Sequence, residues 1–291
     1  MKRIATIFFT LVLCLVLCAC GESKTAQLAA TTLPVYEFTA ALCAGTDIAV
    51  TKLITENVSC LHDYTLQTAQ MRAAESAERI VISGAGLESF LDDVLSANNK
   101  VIDASADIPL LTTCQHHDHH NEHGHDEHDP HIWLSPQNAK IMAANICAGL
   151  AEASPEYAKI FSDNLAALNT KLDALEAYAA DTLSDLANRQ IITFHDGFSY
   201  MADAYDLTIL RAIEEESGSE ASAAELIELI NTVNDHNIQV IFTETNGSSS
   251  AAGIISAETG AEIYTLDMCL SGDSYIDAMY QNIDTIKEAL G

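Results

Sequence analysis

Basic residues are scarce in this chain. Its 291 residues include 13 Lys and Arg against 42 Asp and Glu, which gives a formal net charge of −29. A surface this acidic repels the phosphates of nucleic acid and of anionic lipid headgroups, so we expect no nucleic-acid partner. The same surface attracts cations, but acidity alone does not identify a function.

Long apolar runs are equally scarce. The one run that approaches the length of a membrane span, residues 4–19, follows Met1-Lys2-Arg3, and its shortness and positive flank are typical of a secretory signal. It closes on Leu17-Cys18-Ala19-Cys20-Gly21, which resembles a bacterial lipobox. We therefore expect a lipoprotein signal peptide at 1–19 and a lipidated tether at 20–26. Cys20 would anchor the protein to the cell membrane, on the periplasmic side or the cell surface. An ordinary secretory signal or an N-terminal anchor helix is the alternative.

Cysteine is too sparse and too widely spaced for a cysteine-rich zinc site. Beyond Cys20 the mature chain has five cysteines: Cys43, Cys60, Cys114, Cys147 and Cys269. An oxidising compartment favours disulfides over thiolate ligands. Five thiols form at most two disulfides and leave one free, and the sequence does not decide the pairing.

Histidine, by contrast, is concentrated in one segment. Residues 116–131 contain eight histidines, five acids and no apolar residue, so the segment cannot be a core element. Imidazole and carboxylate bind first-row divalent metals, which makes metal handling the leading hypothesis. We expect a loop at 115–129 whose weak, exchangeable sites collect metal. Its histidines are His116, His117, His119, His120, His123, His125 and His128.

Short β-prone runs alternate with helical patterns on both sides of one long helix. The runs are residues 27–33, 48–54, 79–83 and 100–103 in the first half, and 190–194, 207–211, 238–243 and 262–266 in the second. This alternation predicts an α/β fold with two lobes, each a parallel β-sheet of about four strands flanked by helices.

The long helix is predicted at residues 155–186. Apolar residues recur there in steps of three and four, Ser154 can cap the helix, and Pro155 suits its first turn. Such a helix spans roughly 45 Å, long enough to run past both lobes. We therefore assign residues 27–152 to an N-terminal lobe, 153–188 to the linking helix and 189–291 to a C-terminal lobe. A coiled coil is less favoured, because alanine occupies much of the opposite face.

Metal-type side chains follow four of the strand runs. They are His62, His131, His195 and Asp267, two in each lobe. Ligands bind beyond the carboxyl ends of the strands in open parallel sheets, so these four side chains could converge in one cleft between the lobes. Three imidazoles and one carboxylate suit a tetrahedral site for zinc.

Each candidate also has an ordinary explanation. His62 could cap a helix, and His131 could be the last member of a solvated run. His195 could belong to a simple strand-to-helix turn, and acids such as Asp267 end many strands. The shared position at strand ends makes the set more convincing than any member.

Several segments resemble the zinc and manganese solute-binding lipoproteins of bacterial ABC importers, over residues 28–291. They are His62-Asp63-Tyr64, Gly84-Ala85-Gly86-Leu87-Glu88, Asp129-Pro130-His131-Ile132-Trp133-Leu134-Ser135-Pro136, Phe194-His195-Asp196-Gly197-Phe198-Ser199-Tyr200 and Leu266-Asp267. The resemblance implies two lobes joined by a backbone helix, with one metal in the cleft. It implies His62, His131, His195 and Asp267 as ligands, and an ABC permease with its ATPase as partners.

Residue 195 bears on the identity of the metal. Manganese-type relatives tend to have glutamate where this chain has His195, and imidazole suits zinc better than manganese. We therefore expect Zn²⁺ as the transported ligand, with Mn²⁺ less favoured. The chain departs from the family at Gln67-Thr68-Ala69 and Thr245-Asn246-Gly247-Ser248, where relatives carry Pro-Ser and Pro-Gln. Glu244, at a strand end, is expected near the site as a supporting or alternative ligand.

The leading hypothesis is thus a monomeric extracytoplasmic receptor that captures Zn²⁺ and delivers it to an ABC permease for import. A manganese-type receptor and a zinc-buffering adhesin remain alternatives. A zinc-dependent hydrolase is less favoured, because catalytic zinc needs an open coordination position and four ligands would close it. The sequence also lacks HExxH and GxSxG motifs.

Overall fold

The computed structural model describes residues 27–58, 61, 64–96, 100–112, 128–214, 222–247 and 250–291. The expected signal peptide, the expected lipidation site Cys20, the candidate ligand His62 and most of the histidine-rich loop lie outside these residues. The loop histidines outside them are His116, His117, His119, His120, His123 and His125.

A parallel four-stranded sheet forms the centre of the N-terminal lobe. Its strands are β1 (Gln27–Ala30), β2 (Ala49–Lys52), β3 (Arg79–Ile82) and β4 (Val101–Asp103), in the order β2-β1-β3-β4. The helices of this lobe are α1 (Leu33–Leu42), α2 (Thr68–Ser76), α3 (Asp92–Ser96) and α4 (Pro136–Ala153). The last three residues of both β1 and β3 are buried, as expected for central strands covered on both faces.

The C-terminal lobe repeats this arrangement. Its strands are β5 (Gln190–His195), β6 (Thr208–Glu214), β7 (Val240–Glu244) and β8 (Glu262–Leu266), all parallel, in the order β6-β5-β7-β8. Its helices are α6 (Ser199–Ala204), α7 (Ala223–Asp235), α8 (Ser250–Thr259) and α9 (Tyr275–Leu290). The predicted α/β fold with two four-stranded parallel sheets is therefore confirmed.

The strand order places a topological switch point in each lobe. In both sheets the second strand lies on one side of the first strand and the third strand lies on the other. The strand order therefore reverses between β1 and β3 in one lobe and between β5 and β7 in the other. A crevice opens outside the carboxyl ends of such a strand pair. In the C-terminal lobe the residues at these ends are His195 and Glu244.

The long helix α5 (Ala158–Thr182) connects the lobes and is shorter than the sequence predicts. Its 25 residues span about 38 Å. Residues Pro155–Tyr157 form a separate 3₁₀ turn, and the Ser154 side chain caps neither element. The buried face of α5 follows the predicted spacing at Phe161, Leu168, Leu172, Leu175 and Ala179. It packs against α1 and α4 of the first lobe and α9 of the second.

The segment after β8 fastens the second lobe to the first. Met268 O accepts a hydrogen bond from Trp133 Nε1 at 2.8 Å, and Leu270 O accepts one from Leu33 N at 3.3 Å. The Tyr275 hydroxyl donates to Trp133 O at 2.6 Å. Trp133 and Tyr275 are fully buried, so these bonds are shielded from water. They bring the start of this segment, next to Asp267, beside the segment that carries His131.

Three of the five cysteines that follow Cys20 are buried free thiols, namely Cys43, Cys147 and Cys269. A second disulfide is therefore ruled out, because only Cys60 and Cys114 remain, both outside the described residues. Among the described residues, no helix has both the length and the apolar content needed to cross a bilayer.

Candidate metal centre

His131 is held by the segment that follows it. Residues Ile132–Leu134 form a 3₁₀ turn in which all three side chains are buried. Ser135 then caps α4 by accepting a hydrogen bond from Asn138 N at 3.4 Å, and Pro136 occupies the first helical position. An apolar anchor and a capped helix thus fix the backbone immediately after His131, whose side chain is fully buried.

Asp129 holds the His131 ring from behind. Its Oδ1 atom lies 2.9 Å from His131 N and 2.8 Å from His131 Nδ1. Burial by itself would raise the pKa of the Asp129 carboxyl, but hydrogen bonds and the charge of His131, together with a bond from Ser199, outweigh it and the pKa lies below its usual range. An ionised carboxylate only accepts hydrogen bonds, so Nδ1 carries the ring proton. When the ring is neutral, the lone pair of His131 is then on Nε2.

His195 faces His131 from the other lobe. It is the last residue of β5 and is 2% exposed. Its Nε2 atom lies 3.5 Å from His131 Nε2, and the two rings meet edge to face. Two imidazole nitrogens that bind one tetrahedral zinc ion, each at about 2.0–2.1 Å, lie about 3.4 Å apart. The observed separation therefore suits a shared zinc ion, whereas it is long for a hydrogen bond.

Glu244 lies behind His195. It ends β7, which pairs with β5, and its Oε2 atom is 3.8 Å from His195 Nδ1. A Cβ atom at Gly247 would lie 2.4 Å from Glu244 Cγ and 2.7 Å from its Oε1. The absence of a side chain at Gly247 thus makes room for the Glu244 carboxylate. Glu244 therefore lies beside the candidate ligand His195, and its role at a metal site stays a prediction.

Gly197 leaves room for both histidine rings. A Cβ atom at this position would lie 2.6 Å from His195 Cδ2, 2.8 Å from His131 Cε1 and 2.7 Å from Met268 Cε. All three distances are shorter than real Cβ contacts allow. In the sequence Gly197 is only one member of the family-like segment 194–200, because two of its three neighbours, His131 and Met268, are distant along the chain.

Asp267 follows β8 and is held through its backbone. The Asn282 side chain on α9 accepts from Asp267 N at 2.7 Å and donates to Asp267 O at 2.8 Å. One carboxylate oxygen, Oδ1, accepts from Cys269 N at 2.6 Å, which leaves Oδ2 for another partner. Burial raises the pKa of the Asp267 carboxyl, and a divalent cation beside it would favour the ionised form.

The structure thus brings together two of the four predicted ligands, His131 and His195, with Glu244 next to the second. Asp267 is adjacent to Met268, whose methyl group reaches the same glycine as both rings. His62 lies outside the described residues. Within the described part of the chain, no group of three or more His, Cys, Asp or Glu side chains is placed to hold a metal. His128, the last loop histidine, is exposed and pairs with Thr112 in an isolated β-bridge.

Two residues that support candidate ligands, Asp129 and Asn282, were not predicted from the sequence to have this role. Asp129 carried a signal, because a carboxylate two residues before a histidine can reach its ring. Asn282 carried none, since its partner Asp267 lies 15 positions away and only the packing of α9 brings them together.

Comparison with known proteins finds one family. The family model described as "ZnuA: Zinc-uptake complex component A periplasmic" matches residues 28–289. The zinc-binding lipoprotein AdcA of Streptococcus pneumoniae serotype 4 is 30% identical over 308 residues, which cover 99% of this chain. This chain spans 61% of the length of that protein.

Solved structures share the fold. A crystal structure of ZnuA superposes with a TM-score of 0.81 at 31% identity, covering 92% of this chain and 100% of that one. The Zn(II)-bound ZnuA-like domain of Streptococcus pneumoniae AdcA gives a TM-score of 0.76 at 28% identity, covering 92% of this chain and 99% of that domain.

Proposed function

Because the chain belongs to the family of periplasmic zinc-uptake components whose model it matches over residues 28–289, we propose that it is an extracytoplasmic receptor. In this proposal it binds Zn²⁺ between its lobes and delivers it to an ABC permease and its ATPase. The observation that carries the proposal is the pair of buried Nε2 atoms, 3.5 Å apart, from His131 and His195. Relatives named for zinc binding support the same metal.

The proposed ligands are His62, His131, His195 and Asp267. His131 and His195 would bind through Nε2, and Asp267 through the oxygen that Cys269 N does not occupy. Residues 27–152 and 189–291 would act as two lobes joined by the segment 153–188, which contains α5. Glu244 would support His195 and keep its ring oriented.

Zinc is preferred over manganese in this proposal because the facing donors are imidazoles. Manganese favours oxygen donors, whereas zinc accepts a mixture of nitrogen and oxygen at tetrahedral positions. A manganese-type receptor remains the second candidate, because Asp267 and Glu244 could supply oxygen atoms.

The family model describes a component of a zinc-uptake complex, so we do not propose a hydrolase. Lipidation at Cys20 would hold the receptor at the membrane, near its permease, as a monomer. Relatives named as lipoproteins support this anchor. Buffering or adhesion at the cell surface would need no permease. Comparing zinc uptake by cells with and without the permease therefore separates these alternatives.

The histidine-rich loop is proposed to collect zinc without belonging to the tight site. Its two ends meet, because Thr112 and His128 pair in a β-bridge and Asp129 N donates to Leu111 O at 2.9 Å. Deleting residues 113–127 and joining the ends with a short turn should therefore leave the tight site intact. If that deletion abolished tight zinc binding in calorimetry, the proposed ligand set would be wrong.

Trp133 offers a direct readout for the main experiment. It is the only tryptophan in the sequence, and its ring lies edge to face with the His131 ring at 5.3 Å between centroids. Zinc binding at His131 should change its fluorescence, which can be titrated against a chelator of known affinity. Manganese is then added in competition at equal concentration. Manganese winning would overturn the zinc assignment.

Alanine variants test the ligands. His131→Ala and His195→Ala should each abolish tight zinc binding, read by chelator competition, with folding checked by circular dichroism. His236→Ala is the matched control, because His236 is exposed at the end of α7. Survival of the tight site in either folded ligand variant would contradict the proposed function.

A further inference from the structure

We infer that Asp129 is the positioning residue of the zinc site, which holds His131 in the one tautomer that can bind the ion. This inference rests on the proposed function, since it concerns how that site is built. Asp129 is not itself a proposed ligand. It would act only through the His131 ring.

The geometry at Asp129 fixes both the position and the proton of the ring. One buried oxygen, Oδ1, lies 2.9 Å from the backbone nitrogen of His131 and 2.8 Å from its Nδ1. Because the backbone bond fixes the carboxylate, the second bond fixes the rotation of the ring about its side-chain bonds. The proton on Nδ1 then directs the Nε2 lone pair towards His195.

The other tautomer would block the site. With the proton on Nε2, an N–H group would fill the 3.5 Å space between His131 and His195 where the ion is proposed to bind. Zinc would then bind only after the ring proton had moved. Carboxylates behind metal-binding histidines set the tautomer in this way and raise the basicity of the ligand.

Asp129 is the stronger of the two carboxylate supports. Glu244 Oε2 stands 3.8 Å from His195 Nδ1, beyond hydrogen-bond range. Asp129 is also anchored through Leu111, because Asp129 N donates to Leu111 O and Leu111 N donates to the Tyr200 hydroxyl at 2.9 Å. Tyr200 lies on α6, the helix that follows His195. Asp129, which supports His131, is thus linked through Leu111 to α6, the helix that follows His195.

The test replaces Asp129 by asparagine. Asp129→Asn keeps an oxygen in place, but a neutral amide oxygen is a weaker hydrogen-bond acceptor than a carboxylate and holds the Nδ1 proton less firmly. We expect zinc affinity, measured by chelator competition, to fall by about 10- to 100-fold. Asp163→Asn is the matched control, because it removes the same charge from an exposed position on α5 whose side chain is 65% accessible. Its affinity should equal that of the unmodified protein.

A second readout separates positioning from a structural role. Long-range proton–nitrogen NMR of the metal-free protein reports which His131 nitrogen carries the proton. We expect Nδ1 in the unmodified protein and a larger Nε2–H population in Asp129→Asn. Unchanged zinc affinity in the variant overturns the inference. A loss of affinity with unchanged tautomers overturns it too, because the loss then does not come from the position of the ring proton.

The two proposals fail differently. If the unmodified protein does not bind zinc tightly, the proposed function fails, and a positioning role at a zinc site fails with it. If the unmodified protein binds zinc and both histidine variants lose it, the function stands, and the result at Asp129 alone decides the positioning role.

Discussion

Substituting Gly197 by alanine is the sharpest single perturbation of the proposed site. The new Cβ atom would lie 2.6 Å from His195 Cδ2, 2.8 Å from His131 Cε1 and 2.7 Å from Met268 Cε. The backbone at Gly197 is outside the left-handed region, so alanine adds no backbone strain there. Only the contacts with its three neighbours oppose the substitution.

The three neighbours differ in how easily they move. Met268 Cε is the end of a flexible side chain and can rotate away at little cost. The two rings cannot, because Asp129 and the β5 backbone hold them. To reach an ordinary contact of 3.4 Å, each ring must retreat by about 0.6–0.8 Å, which exceeds the ~0.5 Å within which a binding site must be held.

Zinc tolerates little of this displacement, since its bonds to nitrogen are about 2.0–2.1 Å and vary by about 0.2 Å. We expect the zinc affinity of Gly197→Ala to fall by at least about 10-fold, which corresponds to about 1.4 kcal/mol. Crowding should also lower the free energy of unfolding of the metal-free protein by about 1–3 kcal/mol.

The assay is chelator competition with Trp133 fluorescence, beside urea unfolding of the metal-free protein. Gly253→Ala is the matched control, because Gly253 lies within α8 and a Cβ atom there would meet nothing within 4 Å. That variant should bind zinc normally and gain up to about 1 kcal/mol of stability. Normal zinc affinity in Gly197→Ala would refute the placement of the ion between the two rings.

Three further predictions concern the surroundings of the site. Asp267→Asn keeps the hydrogen bond from Cys269 N but removes the charge. Zinc affinity should therefore fall by more than the about 10- to 100-fold expected when only a residue that supports a ligand is lost. An unchanged affinity in chelator competition would exclude Asp267 as a ligand. Burial raises the pKa of Glu88 to about 7 from an ordinary value of 4.5, so the free energy of unfolding should decrease as pH rises between these values, by up to about 3 kcal/mol. Urea titrations of the metal-free protein give the free energy of unfolding at each pH in this range. Its decrease with pH should be smaller for Glu88→Gln than for the unmodified protein, and an equal decrease would contradict the assignment of this effect to Glu88. Trp133→Phe leaves the buried Met268 carbonyl without its donor, so it should lower the free energy of unfolding by about 1–3 kcal/mol; an unchanged urea midpoint, followed by circular dichroism, would show that this bond does not fasten the lobes.

The buried Glu88 carboxylate explains why one prediction depends on pH. It accepts hydrogen bonds from Thr31 Oγ1 at 2.7 Å, Ser83 N at 2.7 Å and Gly84 N at 3.0 Å. These bonds join the carboxyl ends of β1 and β3 and oppose the rise in its pKa, but burial outweighs them. Because the pKa in the folded protein exceeds the ordinary value, protonation stabilises the fold and the stabilisation is lost above pH 7.

Local sequence was sufficient for the alternation of strands and helices. β-prone runs of four to seven residues and steps of three and four along α5 are properties of neighbouring residues, so they can be read without knowing the fold. The predicted ends of the helices and strands were less accurate. The linking helix was predicted from residue 155 but begins at Ala158, because Pro155–Tyr157 adopts a tighter turn that propensity does not distinguish from a helical one.

The sequence also selected His62, His131, His195 and Asp267 as candidate ligands, because each follows a strand and ligands bind beyond the carboxyl ends of the strands in open parallel sheets. Proximity itself belongs to the tertiary structure. The 3.5 Å between two ring nitrogens depends on how two lobes pack, and their residues are 64 positions apart. No local pattern encodes a distance of that kind.

The supports around the candidate ligands were decided almost entirely by packing. Gly197 matters because three segments converge on it, and Asn282 matters because α9 lies against the end of β8. Sequence by itself therefore determined which chemical groups end the strands, since strand periodicity is local. The tertiary structure decided which of those groups meet and what holds them, because hydrogen bonds and steric contacts act between residues that are distant along the chain.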